Sequence, residues 1–134
     1  MKYWLPALLW SALILLTSND LFSAAHTGSL LSRWLSPEAV DAANFVLRKL
    51  AHLTGYGIAG ALNFRALRGA RGGWRVGWAV GAVALAVVVA AIDEGQQAFV
   101  PSRGASAEDV VIDLIGAAAA QVIIRTRVLF SSST

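Results

Sequence analysis

The sequence contains no cysteine and has little charge. The missing thiols exclude disulfides and thiolate chemistry, and they leave the redox compartment undefined. Charged residues make up 14% of the chain and hydrophobic residues 57%, whereas ordinary soluble domains are roughly 25% charged. A chain of 134 residues has room for one domain and cannot hide this much apolar surface in a soluble core. The composition therefore predicts a protein embedded in a membrane.

The net charge of +3 does not indicate a nucleic-acid-binding protein. Arg65, Arg68, Arg71 and Arg75 lie between two apolar segments, and with Trp74 alone among them they lack the interleaving of several aromatic residues that stacks on bases. Such a cluster is typical of the loop that fixes the orientation of a membrane protein. We expect no nucleic-acid partner.

Four apolar stretches predict an all-α bundle of four transmembrane helices in a single domain, residues 1–134. A span needs about 20 residues, and the third stretch, "VGWAVGAVALAVVVAAI", contains no charge. The second stretch begins with Ser36 as the predicted N-cap and Pro37 as the first helical residue. A helix from Pro37 to Leu67 is about 46 Å long, so its first turns project beyond a hydrocarbon core of about 30 Å. The predicted spans are 3–18, 42–64, 76–92 and 107–128.

The distribution of lysine and arginine predicts the orientation of the bundle. With four spans, seven cations share the side of both termini and of the loop at 65–75, and four lie on the other side. The positive-inside rule then makes both termini cytoplasmic and turns the polar stretch 93–113 outward. An alternative is that Lys2, a short apolar core and "SAA" at 23–25 form a cleaved signal peptide, which would leave three spans in the same orientation.

Three of the predicted helices place ionisable groups at one depth. Counted from the flanking arginines Arg65, Arg75 and Arg125 at about 1.5 Å per residue, these groups lie about 18–28 Å above the inner boundary. A charge that faces lipid costs at least about 2.5–3.5 kcal/mol, so we expect the groups to converge inside the bundle or in a watery outer cavity. They are Lys49, His52, Asp93, Glu94, Asp109 and Asp113.

Helical spacing puts the polar residues of each helix on one face. The three stripes are Lys49 with His52 and Tyr56, Asp93 with Gln97, and Asp109 with Asp113 and Gly116. We expect Lys49 to pair with one of the aspartates of the third stripe. Arg103, in the connection before that helix, is expected to reach Asp93 or Glu94.

Several of these residues also have local interpretations. Ser106 and Asp109 fit a capping box at a helix start, and the two acids of the third helix fit a helix end that meets water. Arg48 and Lys49 fit cations that extend to the interface, and a lone histidine is more often packed than a ligand. Asp113 fits none of these roles, because it lies a turn inside an apolar segment, where an acid indicates a functional site.

Two spaced motifs resemble the VanZ-like family of small membrane proteins over residues 44–120. The first is Lys49-x-x-His52-x-x-x-Tyr56. The second is Asp93-Glu94-x-x-Gln97-x-Phe99-x-Pro101-x-Arg103-x-x-Ser106-x-x-Asp109, with Gly116 following. The resemblance implies a four-helix, multi-pass protein of the bacterial cytoplasmic membrane, and VanZ itself is associated with low-level resistance to the glycopeptide teicoplanin.

The resemblance also implies a set of site residues. They are Lys49, His52, Tyr56, Asp93, Glu94, Gln97, Arg103, Ser106 and Asp109. One position departs from the family pattern, because Asp113 stands where that pattern usually has asparagine.

Binding or modification of an envelope component is the first functional hypothesis. Its ligand would be a lipid-linked headgroup, such as that of a cell-wall precursor, or a glycopeptide antibiotic, with membrane lipids around it. Lys49, His52 and Arg103 would hold a phosphate or carboxylate, and Tyr56 and Gln97 would orient it by hydrogen bonds.

The alternative hypothesis is an intramembrane hydrolase or transferase acting on a polar lipid. Asp93 or Glu94 would serve as general base and His52 as acid or base. The same three residues could hold a divalent cation, but HExxH, a catalytic GxSxG motif and a cysteine nucleophile are absent, so no cofactor or metal is assigned. An ion or proton pathway is disfavoured, because the inner two-thirds of the bundle lacks titratable groups.

Overall fold

Four helices and no strand make up the part of the chain described by the computed structural model, residues 1–17, 28–29, 31–99 and 106–131. The helices are α1 (Leu5–Thr17), α2 (Pro37–Arg68), α3 (Val76–Gln97) and α4 (Ala107–Ser131). The all-α prediction is confirmed.

The capping signals of α2 act as the sequence predicts. Ser36 is extended and its side chain accepts a hydrogen bond from the Ala39 N–H at 3.4 Å, while Pro37 occupies the first turn. Hydrogen bonds from its own backbone N–H and from Ser36 lower the pKa of Glu38, since both favour the carboxylate. The helix ends at Gly69, whose φ of 62° suits a residue without a Cβ. α2 thus runs unbroken for 32 residues.

α3 is longer than the predicted span, because it continues past Ile92 to Gln97. The extra turns carry Asp93, Glu94 and Gln97 on a regular helix. Of the four helices, α3 alone is both long and apolar enough to cross a membrane, with a mean hydropathy of 2.2 over an 18-residue window. α1 has only 13 residues, and α2 and α4 carry several charged side chains.

α2, α3 and α4 pack against one another, and α1 lies against α2 and α3. The interior between them is built mostly from small side chains, since Ala82, Ala86, Ala90 and Ala117 are almost fully buried. α1 is attached by a polar contact as well, because the Trp10 Nε1–H donates to the backbone oxygen of Gly55 at 2.9 Å.

Glycines bring α2 and α4 into backbone contact. A Cβ at Gly60 would lie 2.9 Å from the Ala117 Cα, and a Cβ at Gly116 would overlap the Leu53 carbonyl oxygen. Close approach through small residues is the usual way for membrane helices to associate. It places the polar stripes of α2 and α4 within reach of each other.

Gly116→Ala is expected to destabilise the bundle, because the added methyl group meets backbone that cannot move aside. Overpacking of this kind costs about 1–3 kcal/mol, so the melting temperature of the detergent-purified protein should fall. Gly55→Ala is the matched control, since a Cβ there meets nothing within 4 Å. Equal melting temperatures for the two variants would contradict the close α2–α4 approach.

Candidate polar site at one end of the bundle

Asp109, at the start of α4, binds two cations of α2. Its Oδ1 lies 2.6 Å from Lys49 Nζ, and its Oδ2 lies 2.5 Å from an Arg48 guanidinium nitrogen. The Asp109 side chain is 1% exposed, whereas those of Lys49 and Arg48 are 20% and 39% exposed. The carboxylate therefore orients two cations that still reach the surface.

His52, one turn further along α2, pairs with Asp113, one turn further along α4. Its Nδ1 lies 2.9 Å from Asp113 Oδ1. Because an ionised carboxylate only accepts hydrogen bonds, Nδ1 carries the proton in this contact. The His52 ring also stacks on that of Tyr56, with centroids 6.1 Å apart. These contacts fix the ring with Nε2 on its other side.

Asp93 brings α3 into the site, alongside the residues of α2 and α4. Its Oδ2 accepts hydrogen bonds from the Tyr56 hydroxyl at 3.3 Å and from Gln97 Nε2 at 3.2 Å. Gln97 in turn accepts from Arg48 at 3.4 Å through its Oε1. Asp93 and Gln97 are 2% and 1% exposed, so α3 contributes polar groups to the interior and not to a helix end in water.

Glu94 ties α3 to the start of α4. Its Oε2 accepts the backbone N–H of Ser106 at 2.7 Å. In a capping box, the backbone N–H of Ser106 would bond to the side chain of Asp109. Here it bonds to Glu94, so the capping-box interpretation is wrong in this respect. The sequence could not reveal this, since the two helices meet only in the folded chain.

Three buried carboxylates each keep one oxygen that accepts no hydrogen bond from the described residues. These atoms are Asp93 Oδ1, Glu94 Oε1 and Asp113 Oδ2. A buried acceptor without a partner is costly, so these oxygens mark a place where the site is incomplete by itself. Within the described part of the chain, His52, Asp93 and Glu94 each offer one donor atom, and these atoms lie within 4.8 Å of one another.

The structure brings together nine of the ten site residues predicted from the sequence, namely Asp113 and the eight that follow. Those eight are Lys49, His52, Tyr56, Asp93, Glu94, Gln97, Ser106 and Asp109. The interpretation of Asp93 and Glu94 as a helix end meeting water is wrong, because α3 continues beyond them and both are buried. Arg103 lies outside the described residues, so its predicted contact with Asp93 or Glu94 stays a prediction.

Arg48 is a site residue that the sequence reasoning missed. It was interpreted only as an interface cation, yet it contacts Asp109 and Gln97. The signal was present, since Arg48, His52 and Tyr56 are spaced by four residues and share a helix face.

The opposite end of the bundle has a different chemistry. Polar side chains in the interior there satisfy backbone oxygens, with Asn63 donating to Ala82 and Gln121 donating to Gly60. Arginines at that end lie over aromatic rings, Arg75 over Trp78 at 5.1 Å and Arg125 over Trp74 at 5.2 Å. The acids of the described chain therefore concentrate at one end and the stacked arginines at the other.

A family model described as VanZ/LLP1 matches residues 3–130, nearly the whole chain. The chain belongs to that family. The match extends well beyond residues 44–120, where the sequence motifs lie, and it includes α1. VanZ-like proteins are membrane-associated, which agrees with the apolar α3. No curated protein and no solved structure matches the chain.

Asp109→Asn is expected to loosen the contact between α2 and α4, because one neutral amide replaces the acceptor shared by Arg48 and Lys49. Charged hydrogen bonds contribute about 1.5–3 kcal/mol each, so the melting temperature should fall clearly. Glu108→Gln is the matched control, because the Glu108 side chain is 83% exposed and its contact with Lys49 is longer, at 3.6 Å. If Glu108→Gln destabilised the protein as much as Asp109→Asn, the buried pairing would not carry the interface.

Proposed function

We propose that the protein spans the bacterial cytoplasmic membrane with all four helices, both termini on the cytoplasmic side. The observation that carries this proposal is that the bundle has apolar side chains on its surface and polar side chains in its interior. Large aliphatic side chains face outward, whereas the largest fully buried side chains include Gln97, Asp93, Asp109 and Asp113. The exposed ones include Leu9 and Leu13 of α1, Leu50 and Ile58 of α2, Val80 and Val88 of α3, and Ile115 and Val122 of α4. Such a surface is stable in lipid and not in water.

The charged residues of α2 and α4 do not argue against spanning. Near the outer end, Asp109 and Asp113 of α4 meet Lys49 and His52 of α2 across the contact between the two helices. The average hydropathy of a helix ignores the direction of its side chains, so it counts these charges as if they faced lipid. With 32 and 25 residues, both helices exceed the roughly 20 residues that a span requires.

The orientation rests on the separation of charges along the bundle. Residues 1–17, 65–92 and 114–134 contain seven cations and no acid, whereas all eight acids lie within 20–41 and 93–113. The end with cations alone fits the cytoplasmic side. We propose that α1 is retained as the first span and is not cleaved, since Trp10 bonds to Gly55 and the family match includes α1.

The absence of native cysteine allows a direct test of this topology. Phe99→Cys and Gly72→Cys each introduce a thiol at an exposed position, on opposite ends of the bundle. A membrane-impermeant maleimide should label Phe99→Cys in intact spheroplasts and Gly72→Cys only after permeabilisation. The reverse pattern, or equal labelling of both in intact cells, would contradict the proposed orientation.

For its task, we propose that the protein binds the polar headgroup of an envelope amphiphile at its outer end. Arg48 and Lys49 form the rim of the site and remain partly exposed, while Asp109 holds both in place. Two cations against one carboxylate leave excess positive charge, which suits a phosphate or carboxylate. The exposed Glu108 near Lys49 offsets part of that charge. A lipid-linked cell-wall precursor or a glycopeptide antibiotic such as teicoplanin presents its polar part at this depth.

A contribution to teicoplanin-type resistance follows from this proposal and family membership. In a sensitive bacterium, the wild type should raise the inhibitory concentration of teicoplanin more than that of vancomycin. Arg48→Ala and Lys49→Ala, at matched membrane levels, should return susceptibility to that of the empty vector, because the headgroup loses its counter-ions. Arg33→Ala is the matched control, being an exposed cation on the same side of the membrane. Full protection by the rim variants would reject the proposed site.

A second candidate function is an intramembrane hydrolase or transferase acting on a polar lipid. The observation that favours it is the pairing of His52 with Asp113, together with a donor atom of Glu94 within 4.8 Å of one of His52. A histidine oriented by a carboxylate is a common general base. Accumulation of a cleaved or transferred lipid headgroup in membranes with wild type, and not with His52→Ala, would favour this function over binding alone.

A further inference from the structure

The inner layer of the polar site has an excess of negative charge. Both permanent cations of the cluster, Arg48 and Lys49, are engaged by Asp109 at the rim. Beneath them, the carboxylates of Asp93, Glu94 and Asp113 face a single imidazole, that of His52. Among the described residues, these three carboxylates face at most one positive charge, so a further cation would balance them.

The atoms that remain without partners point to where this cation belongs. Asp93 uses only Oδ2 to accept hydrogen bonds, from Tyr56 and Gln97, and Glu94 uses only Oε2, from Ser106. Asp93 Oδ1 and Glu94 Oε1 are buried and accept no hydrogen bond from the described chain. Each residue thus has one oxygen held in place and one oxygen available as a ligand.

His52 is arranged as a metal-ligating histidine is. Its Nδ1 lies 2.9 Å from Asp113 Oδ1, so in the neutral imidazole that donates this hydrogen bond the opposite nitrogen, Nε2, carries the lone pair. A carboxylate on the second ring nitrogen fixes the tautomer and strengthens the ligand in many metal sites. Nε2 lies 4.0 Å from Asp109 Oδ2, too far for a hydrogen bond that would compete.

We propose that His52, Asp93 and Glu94 bind a divalent metal ion of the Zn²⁺ class, with Asp113 as the residue that positions His52. One donor atom from each ligand lies within 4.8 Å of the other two. Ligands at about 2.0–2.2 Å from a tetrahedral zinc ion are about 3.3–3.6 Å apart, so side-chain rotations that shorten these distances by about 1 Å would bring the three into coordination. An imidazole nitrogen in the set favours zinc over magnesium or calcium.

Such an ion would stabilise the bundle and present an open coordination position toward the rim. Three protein ligands leave room for a water molecule or a ligand oxygen. The ion would also join α2 to α3, complementing the α2–α4 contact at Asp109. This inference goes beyond headgroup binding and stands independently of it, because metal binding is measured without any lipid ligand.

The experiment titrates Zn²⁺ into the chelator-treated, detergent-purified full chain in competition with a chromogenic chelator. The wild type should bind a single ion per chain and show a melting temperature that rises with Zn²⁺ and returns with chelator. Asp93→Asn and Glu94→Gln should bind at least about tenfold more weakly, since even outer partners of metal ligands contribute about 10–100-fold. Both substitutions keep an oxygen for the existing hydrogen bonds, so the fold should persist.

Asp113→Asn tests whether Asp113 positions His52 without binding the metal ion itself. It removes the charge behind His52 while leaving all three ligands, so the affinity for Zn²⁺ should fall by about 10–100-fold without loss of the stoichiometry. Asp41→Asn is the control, because Asp41 is an exposed acid at the same end of α2. Its affinity should equal that of the wild type.

A wild type whose melting temperature does not respond to Zn²⁺ or Mn²⁺ would overturn the proposal, as would unchanged affinity in Asp93→Asn and Glu94→Gln. If a variant fails to fold, the response of the wild-type melting temperature to the metal ion still tests the proposal. Tight metal binding by a protein that gives no change in glycopeptide susceptibility would reject the proposed resistance and leave the metal site. A susceptibility change without metal binding would reject the metal site alone.

Discussion

Two cations of α2 share one buried carboxylate of α4, and the rest of the polar site depends on this pairing. In the proposed membrane setting there is little hydrophobic force between helices, so packing of small residues and polar contacts would hold them together. The backbone contact at Gly60 and Gly116 fixes the spacing of α2 and α4. Asp109 then meets Lys49 and Arg48, and one turn deeper Asp113 meets His52. The register of the two helices is thus fixed by both steric fit and charge.

The site has two layers with opposite charge. The rim has excess positive charge on Arg48 and Lys49, and it is partly exposed. The inner layer, beneath it, has carboxylates from α3 and α4 around one histidine. An anionic headgroup above and a metal ion below would neutralise both layers at once. Among the described residues neither layer is balanced in charge, and the proposed headgroup and metal ion are the groups that would balance them.

Much of this architecture is predictable from the sequence, because helical rise and facing are simple geometry. The start of α2 follows from Ser36 and Pro37, and the common depth of the polar groups follows from counting residues. The choice of partner is harder, since it depends on the rotation and tilt of each helix. For that reason Asp109 and Asp113 remained equivalent partners for Lys49. Arg48 was missed because each cation next to an apolar segment also fits the interface, and the bond from Ser106 to Glu94 joins helices that only folding brings together.

The measurement that tests the account most directly is a double-mutant cycle between Lys49 and Asp109. It compares the free energies of unfolding in detergent of Lys49→Met, Asp109→Asn and the double variant with that of the wild type. A direct buried pairing predicts that the double variant is less destabilised than the sum of the single variants, with a coupling of about 0.5–3 kcal/mol. Strict additivity would contradict it, because two residues that do not interact lose their contributions independently.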